Sequence, residues 1–269
     1  MGNGVMQIKK KIYAFILTGL FSGFTSPDVS QLFAQTQQSE IDRDVRLPLQ
    51  RLPEGGLLVE DFETTLPGDI PSGWYNRDFT VEVISPEERY KYRYQVVEED
   101  GNRFLNYHHT DAHHLNFPLG RRMNLNLSET PILSWKWRVK KLPNNALETD
   151  DKRNDTAASI YVVFDMGKVA FFKRVPKSIR YTWSTSLPKG HEASLFFGNQ
   201  KIVVVESGEE MLGSWKTFER NIVEDYRRLF GEEPPDRPLA ILLLSDGNST
   251  ESVAEAAYDD LLFLPADRE

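Results

Sequence analysis

The chain has 269 residues, a formal charge of -8, 40% apolar and 12% aromatic residues, and no cysteine. That supplies one large core or two small ones, and it excludes disulfides, thiolate metal sites, iron-sulfur clusters, a cysteine nucleophile and an acylated-cysteine anchor. Without residues 1–38, which carry Lys9, Lys10, Lys11 and Asp28, the chain keeps 29 basic and 39 acidic residues, a balance that disfavours nucleic acid and anionic membranes, since both recruit clustered Lys and Arg.

In chain order the first feature is the basic cluster Lys9–Lys11, followed by the apolar run Ile12–Phe24, then Ala34 and Gln35–Gln38. This is the layout of a secretory signal peptide. This run of thirteen residues falls short of the roughly 20 that cross a hydrocarbon core as a helix. Residues 1–34 are therefore expected to be removed on export, leaving no stable transmembrane anchor and a periplasmic or secreted protein. Leu32 stands where a small residue is preferred, so the cleaved bond stays open, and Met6 is an alternative start to Met1. Residues 35–56 read as a polar linker.

Short β-rich segments separated by turn residues follow: 57–62, 80–84, 92–98, 103–108, 114–117, 131–139, 158–165, 179–184, 201–206, 238–245 and 256–264. Strands at this spacing predict an all-β sandwich or barrel. Ser134–Val139 alternates with both Trp on one face and both cations on the other, and Leu239–Leu244 is continuously apolar, as a strand buried on both faces would be. One helix is predicted. Asn221 with Glu224 three residues on forms a capping box, and Ile222, Val223, Tyr226, Leu229 and Phe230 share a stripe that Gly231 ends. Neither an internal repeat nor βαβ alternation is visible, which argues against a parallel-sheet fold.

Six signatures recur in a fixed order: Asp150–Ala158 leading into Ile160–Phe164, Ile179–Ser184, Val203–Gly208, Leu212–Trp215, Arg220-Asn221 with Asp225-Tyr226 and Phe230-Gly231, and Ser245–Thr250 before Ala257–Asp260. In that order and spacing residues 57–264 resemble the exported bacterial family catalogued as domain of unknown function three-zero-four-seven. The resemblance implies a jelly-roll sandwich of the galactose-binding kind over residues 57–266, related in shape to carbohydrate-binding modules, with no established activity. The chain departs from the family's Asp-Thr-Asp-Asn-Thr loop in having Asn248 where the second Asp would stand.

Candidate site residues fall into four groups. The pairs His108-His109 and His113-His114 suit zinc or copper as neutral imidazoles. In a hairpin around Thr110–Ala112, however, neighbouring His residues point to opposite faces, and polar decoration is the competing reading. In a galactose-binding-like jelly roll the first and last strands pair, which would bring Glu60 and Asp61 near Asp259 and Asp260. Such a cluster is repulsive unless splayed to water or neutralised by a hard cation, so structural Ca²⁺ is the expectation set against separate solvation. Asp246–Thr250 places oxygens at alternate positions, but Glu251 and Ala257 depart from an EF-hand, and a turn held between core strands competes with ligand binding.

Sugars stack their C–H faces on exposed aromatics, which nominates Trp74, Trp183 and Tyr181, with Arg180, Lys136, Asp155, Asp246 and Asn248 as polar partners. Trp135, Trp137 and Trp215 read as core. No Gly-x-Ser-x-Gly, His-Glu-x-x-His, phosphate-loop or dinucleotide motif occurs. The resulting expectation is an exported, non-catalytic binding domain for an envelope or extracellular ligand, carbohydrate first. The alternatives are a polysaccharide-acting enzyme with an Asp/Glu acid-base pair and an interaction module of an envelope complex. Facing carboxylates in a groove, exposed aromatics there, or a flat apolar patch would discriminate among the three.

Overall fold

The alternation at Ser134–Val139 extends over ten residues as a strand, Ile132–Lys141, with Trp135, Trp137 and Val139 fully buried. It belongs to a computed structural model that describes residues 49–77, 82–83, 91–111, 113–120, 123–165, 169–170 and 173–267. The residues expected to form a signal peptide, most of the expected linker and most of the strand expected at 80–84 lie outside the described residues.

In chain order the strands are β1 (Gln50–Arg51), β2 (Leu57–Glu60), β3 (Tyr94–Glu99), β4 (Asn102–His109), β5 (Leu115–Pro118), β6 (Ile132–Lys141), β7 (Thr156–Asp165), β8 (Val169–Ala170) and β9 (Lys173–Arg174). They continue as β10 (Lys177–Ser184), β11 (Glu192–Leu195), β12 (Gln200–Ser207), β13 (Lys216–Asn221), β14 (Ala240–Asp246) and β15 (Ala254–Leu264), with α1 (Ile222–Phe230) between β13 and β14.

Two sheets face each other. In the first, β15 pairs with β6 along one edge; along the other, its start pairs with β4 and its end with β2. The second runs β11-β12-β10-β7-β14-β5, antiparallel except for β10 and β12. Thus β4, β15 and β6 lie side by side in the first sheet, and their chain neighbours β5, β14 and β7 lie in the same order in the second. This mirrored order is a jelly-roll sandwich. The expected pairing of first and last long strands is present, with Leu261 opposite Glu60. β1 falls within the stretch read as linker, and β11 and β13 are strands that the sequence reading did not place.

Aromatic rings join the layers. Trp135 lies 5.4 Å from Tyr181 and Trp137 6.5 Å from Trp183, each pair bridging β6 and β10. Full burial of side chains this size contributes about 1.5–3 kcal/mol or more apiece. The indole N–H groups of Trp135 and Trp137 are buried without a hydrogen-bond partner among the described residues, which costs about 1–3 kcal/mol each, so their area outweighs an unmade bond. Tyr258 Oη donates to Leu244 O at 2.8 Å, and Ser245 N donates to Tyr94 Oη at 2.8 Å. Both tyrosines of the first sheet thereby reach backbone of the second.

Asn221 caps α1 by accepting from Glu224 N at 3.1 Å, and Gly231 ends it in the left-handed region at φ 73°. Tyr226 meets Phe164 at 4.6 Å, so the helix covers the end of β7.

Candidate functional site

β7 is buried along nine of its ten residues, so its outward as well as its inward side chains are covered. Cross-strand register places Asn116, Leu242, Tyr161, Arg180 and Ile202 in one row across the outer face of the second sheet. In the next row stand Leu244, Ser159, Thr182 and Val204. Thr182 Oγ1 lies 2.9 Å from Thr156 Oγ1, and Ser159 Oγ donates to Thr182 Oγ1 at 2.9 Å.

The loop before β7 is fastened over this face. Ser184 Oγ donates to Glu148 Oε2 at 2.8 Å, Ser186 Oγ to Ala146 O at 2.6 Å and Thr185 Oγ1 to Pro143 O at 3.1 Å. At its end Asp155 accepts from Ser249 N at 3.0 Å and from both Thr250 N and Thr250 Oγ1 at 2.7 Å. Asp155 and the Asp246–Thr250 loop therefore hold one another by direct hydrogen bonds. Gly247 is required there, since a Cβ would lie 1.8 Å from Ser252 O. Asn248 is exposed at the tip.

Asp246 is buried and accepts from Thr156 N at 2.7 Å. Desolvation pushes its pKa up to about 7; Arg180 opposes the rise, while Asp155 and Glu148 add to it. Arg180, only 3% exposed, donates from Nε to Ser159 Oγ at 2.9 Å and lies 5.5 Å from the Tyr161 ring. Its Nη2 is buried with no hydrogen-bond partner among the described residues.

The expected stacking aromatics are core residues instead. Trp74, Trp183 and Tyr181 are each 0% exposed. Trp74 Nε1 donates to Glu60 Oε2 at 3.3 Å, Trp183 Nε1 to Gly208 O at 3.0 Å and Tyr181 Oη to Asp225 Oδ2 at 2.9 Å. With polar atoms satisfied inside and ring faces packed, none presents a face to a sugar. Trp215, read as core, is half-buried on the outer face of the first sheet, 4.7 Å from Arg138 and 5.2 Å from Lys136.

The four expected metal carboxylates also part company. Glu60 accepts from Phe62 N and Trp74 Nε1, and Asp61 accepts from Glu63 N. Asp259 and Asp260 lie 3.8 and 3.7 Å from Lys136 Nζ, with Asn102 Nδ2 donating to Asp259 at 3.0 Å. Among the described residues no group of three or more His, Asp or Glu is placed to hold a metal ion. The histidines do not form a hairpin, because β4 lies in the first sheet and β5 in the second. His108 and His109 lie on β4, 3.9 Å from Glu255 and 3.4 Å from Asp111. His113 and His114 precede β5 and pack edge-on against Tyr92 and Tyr161.

Exposed aromatic surface occurs elsewhere. Phe196 is 51% and Phe197 85% exposed. They follow β11 in a tight turn with φ of 49° and 58°, and Gly198 continues at 91°. A bulky residue in the left-handed region costs about 1–2 kcal/mol, and such strain persists where neighbours over-determine it. Here Asn199 Nδ2 donates to Val175 O at 3.0 Å, Ser178 N to Asn199 O at 2.9 Å, and Lys201 Nζ to Ser194 Oγ at 3.0 Å.

Phe196, Ser194 and Leu195 form one wall of an open cleft of about 620 Å³, and Thr149, Asp150, Asp151 and Lys152 form the other. Asp150 accepts from Lys152 N at 3.0 Å and Arg153 Nε at 2.9 Å, and these bonds, the backbone one foremost, hold its carboxyl below the usual range. It is an ionised acceptor at neutral pH. The sequence reading missed this cleft. Leu195-Phe196-Phe197 ahead of Gly198-Asn199 looks like the apolar end of a strand entering a turn, and only the left-handed backbone turns the rings outward.

Residues 73–262 match the family described as "Protein of unknown function (DUF3047)". No curated protein gives a significant match. Among solved structures, the family 11 carbohydrate-binding module of a cellulosomal cellulase of Clostridium thermocellum is 13% identical, over 80% of this chain and 97% of that one, with a TM-score of 0.37. The same kind of module from that organism, in complex with a beta-1,3-1,4-mixed-linked tetrasaccharide, gives 12%, 80%, 98% and 0.34. A mutant of the ENZbleach xylanase gives 12%, 83%, 95% and 0.34. At these values none of them places a ligand or a residue role on this chain.

Proposed function

This chain belongs to the family described as protein of unknown function (DUF3047), and for it we propose a non-catalytic binding domain that takes a carbohydrate chain in the cleft between Thr149–Lys152 and Ser194–Phe196. The observation that carries the reading is the outward display of Phe196 at that cleft, on a strained, well-anchored turn that continues through the exposed Phe197. Exposed rings offer apolar faces to the C–H faces of sugars, and strain kept at a surface turn points to function. Asp150 and Asp151 opposite supply acceptors for sugar hydroxyls, and Lys152 a donor. Because Asp150 is held ionised, it serves as an acceptor and not as a proton donor.

The test is a glycan array followed by titration of the best oligosaccharide. Phe196→Ala with Phe197→Ala is expected to weaken binding by about thirtyfold, the loss of a central aromatic contact worth roughly 2 kcal/mol, with a melt within a few degrees of wild type. No glycan bound by the wild type, or equal binding by the double variant, overturns the reading.

A further inference from the structure

We propose that Arg180, on the outer face of the second sheet, receives a carboxylate group of a small ligand, at a site separate from the aromatic cleft. Arg180 is 3% exposed, and its Nη2 is buried with no hydrogen-bond partner among the described residues. Buried charged donors are normally satisfied, because leaving one unpaired costs more than a neutral group would.

Among the described residues no neighbouring acid accepts a hydrogen bond from Arg180, although Asp246 lies near enough for the guanidinium to oppose the rise of its pKa. Glu148 accepts from Ser184 Oγ and Thr182 Oγ1, Asp155 from Ser249 and Thr250, and Asp246 from Thr156 N. Arg180 itself is aimed by Ser159 Oγ on its Nε and by the Tyr161 ring 5.5 Å away. A planar guanidinium with free N–H matches a planar carboxylate in shape and charge. Charge count then selects among anions. With Glu148, Asp155 and Asp246 close by, a monoanion is tolerated where a phosphate dianion meets greater repulsion. The carboxylate could come from an acidic sugar or from a peptide C-terminus.

Calorimetric titration of the full folded domain with acetate, glucuronate, the dipeptide Ala-Ala, glucose and inorganic phosphate tests this. Acetate should bind, glucose should not, and phosphate should bind more weakly than acetate. Glucuronate binding tighter than Ala-Ala identifies an acidic sugar; the reverse identifies a peptide terminus. Arg180→Lys, which keeps the charge and loses the fork, should weaken acetate by at least about tenfold. Should that variant fail to fold, Ser159→Ala, which frees Nε while keeping the charge, should change the acetate affinity severalfold. The proposal is overturned by no carboxylate binding to wild type, by phosphate binding at least as tightly as acetate, or by acetate affinity unchanged in a folded variant.

Discussion

Asp246 sits at an ordinary value near 3.8 when unfolded and at about 7 when folded, raised first by desolvation. A carboxyl raised on folding contributes stability that is fully present below about pH 4 and is lost as pH rises through its folded pKa. Asp259, raised to about 6 by desolvation, acts in the same direction. Asp225 acts oppositely: the hydrogen bonds from Arg220 and Arg228 hold it below 3.8 against desolvation, so its contribution is present above about pH 4 and fades below. Asp246→Asn keeps the acceptor for Thr156 N and removes the buried charge. The variant is expected to match wild type near pH 3 and to exceed it at pH 8, by at most about 4 kcal/mol. Urea melts at the two pH values check this, and a variant weaker than wild type at pH 8 would refute the role assigned to Asp246.

At this scale Asp155, Arg180 and Asp246 were legible in the sequence as candidate polar partners, Arg180 within a predicted strand and the two aspartates in the loops beside one. What they touch was not, because Asp155 and Thr250 are 95 positions apart. Trp74 and Trp183 misled for a related reason. An indole in a Pro-Gly-rich loop or a polar strand looks exposed until its N–H finds Glu60 or Gly208 O inside.

The helix α1 is held by a charge network at its first turn. Asp225 accepts from Arg220 Nε at 2.8 Å, Arg228 Nη2 at 2.7 Å and Tyr181 Oη at 2.9 Å, so one carboxylate ties α1 to β13 and β10. Asp225→Ala leaves the Tyr181 hydroxyl without that acceptor and the Arg220 guanidinium without its carboxylate, while Arg228 keeps Glu192. Partial exposure of both arginines moderates the loss, and a cost of about 2–3 kcal/mol is expected. Glu224→Ala, which leaves the Asn221 cap intact, should cost under about 0.5 kcal/mol; equal losses in thermal melts of the two variants would remove the network from the account. The helix was legible because capping residue, stripe and Gly231 are local signals. β13 was not, since Lys216–Asn221 carries one apolar residue, Phe218, and an edge strand buries little. β11 was missed likewise, being four residues of alternating exposure paired to one neighbour.

Across the whole molecule, the mirrored order β4-β15-β6 over β5-β14-β7 makes the second sheet a platform with its inner face on the aromatic core and its outer face under the loop before β7. The continuous apolar run at Leu239–Leu244 announced a strand covered on both sides. Which loop covers the second face depends on contacts of long sequence separation, such as Glu148 with Ser184. The aromatic cleft lies between that loop and the end of β11, so the proposed binding surface sits at the sheet's edge. Amide chemical-shift mapping with the best-bound oligosaccharide tests this most directly. Saturable shifts should cluster at residues 149–152 and 194–199; shifts centred on Trp215 and the outer face of the first sheet, or the absence of saturable shifts, would contradict it.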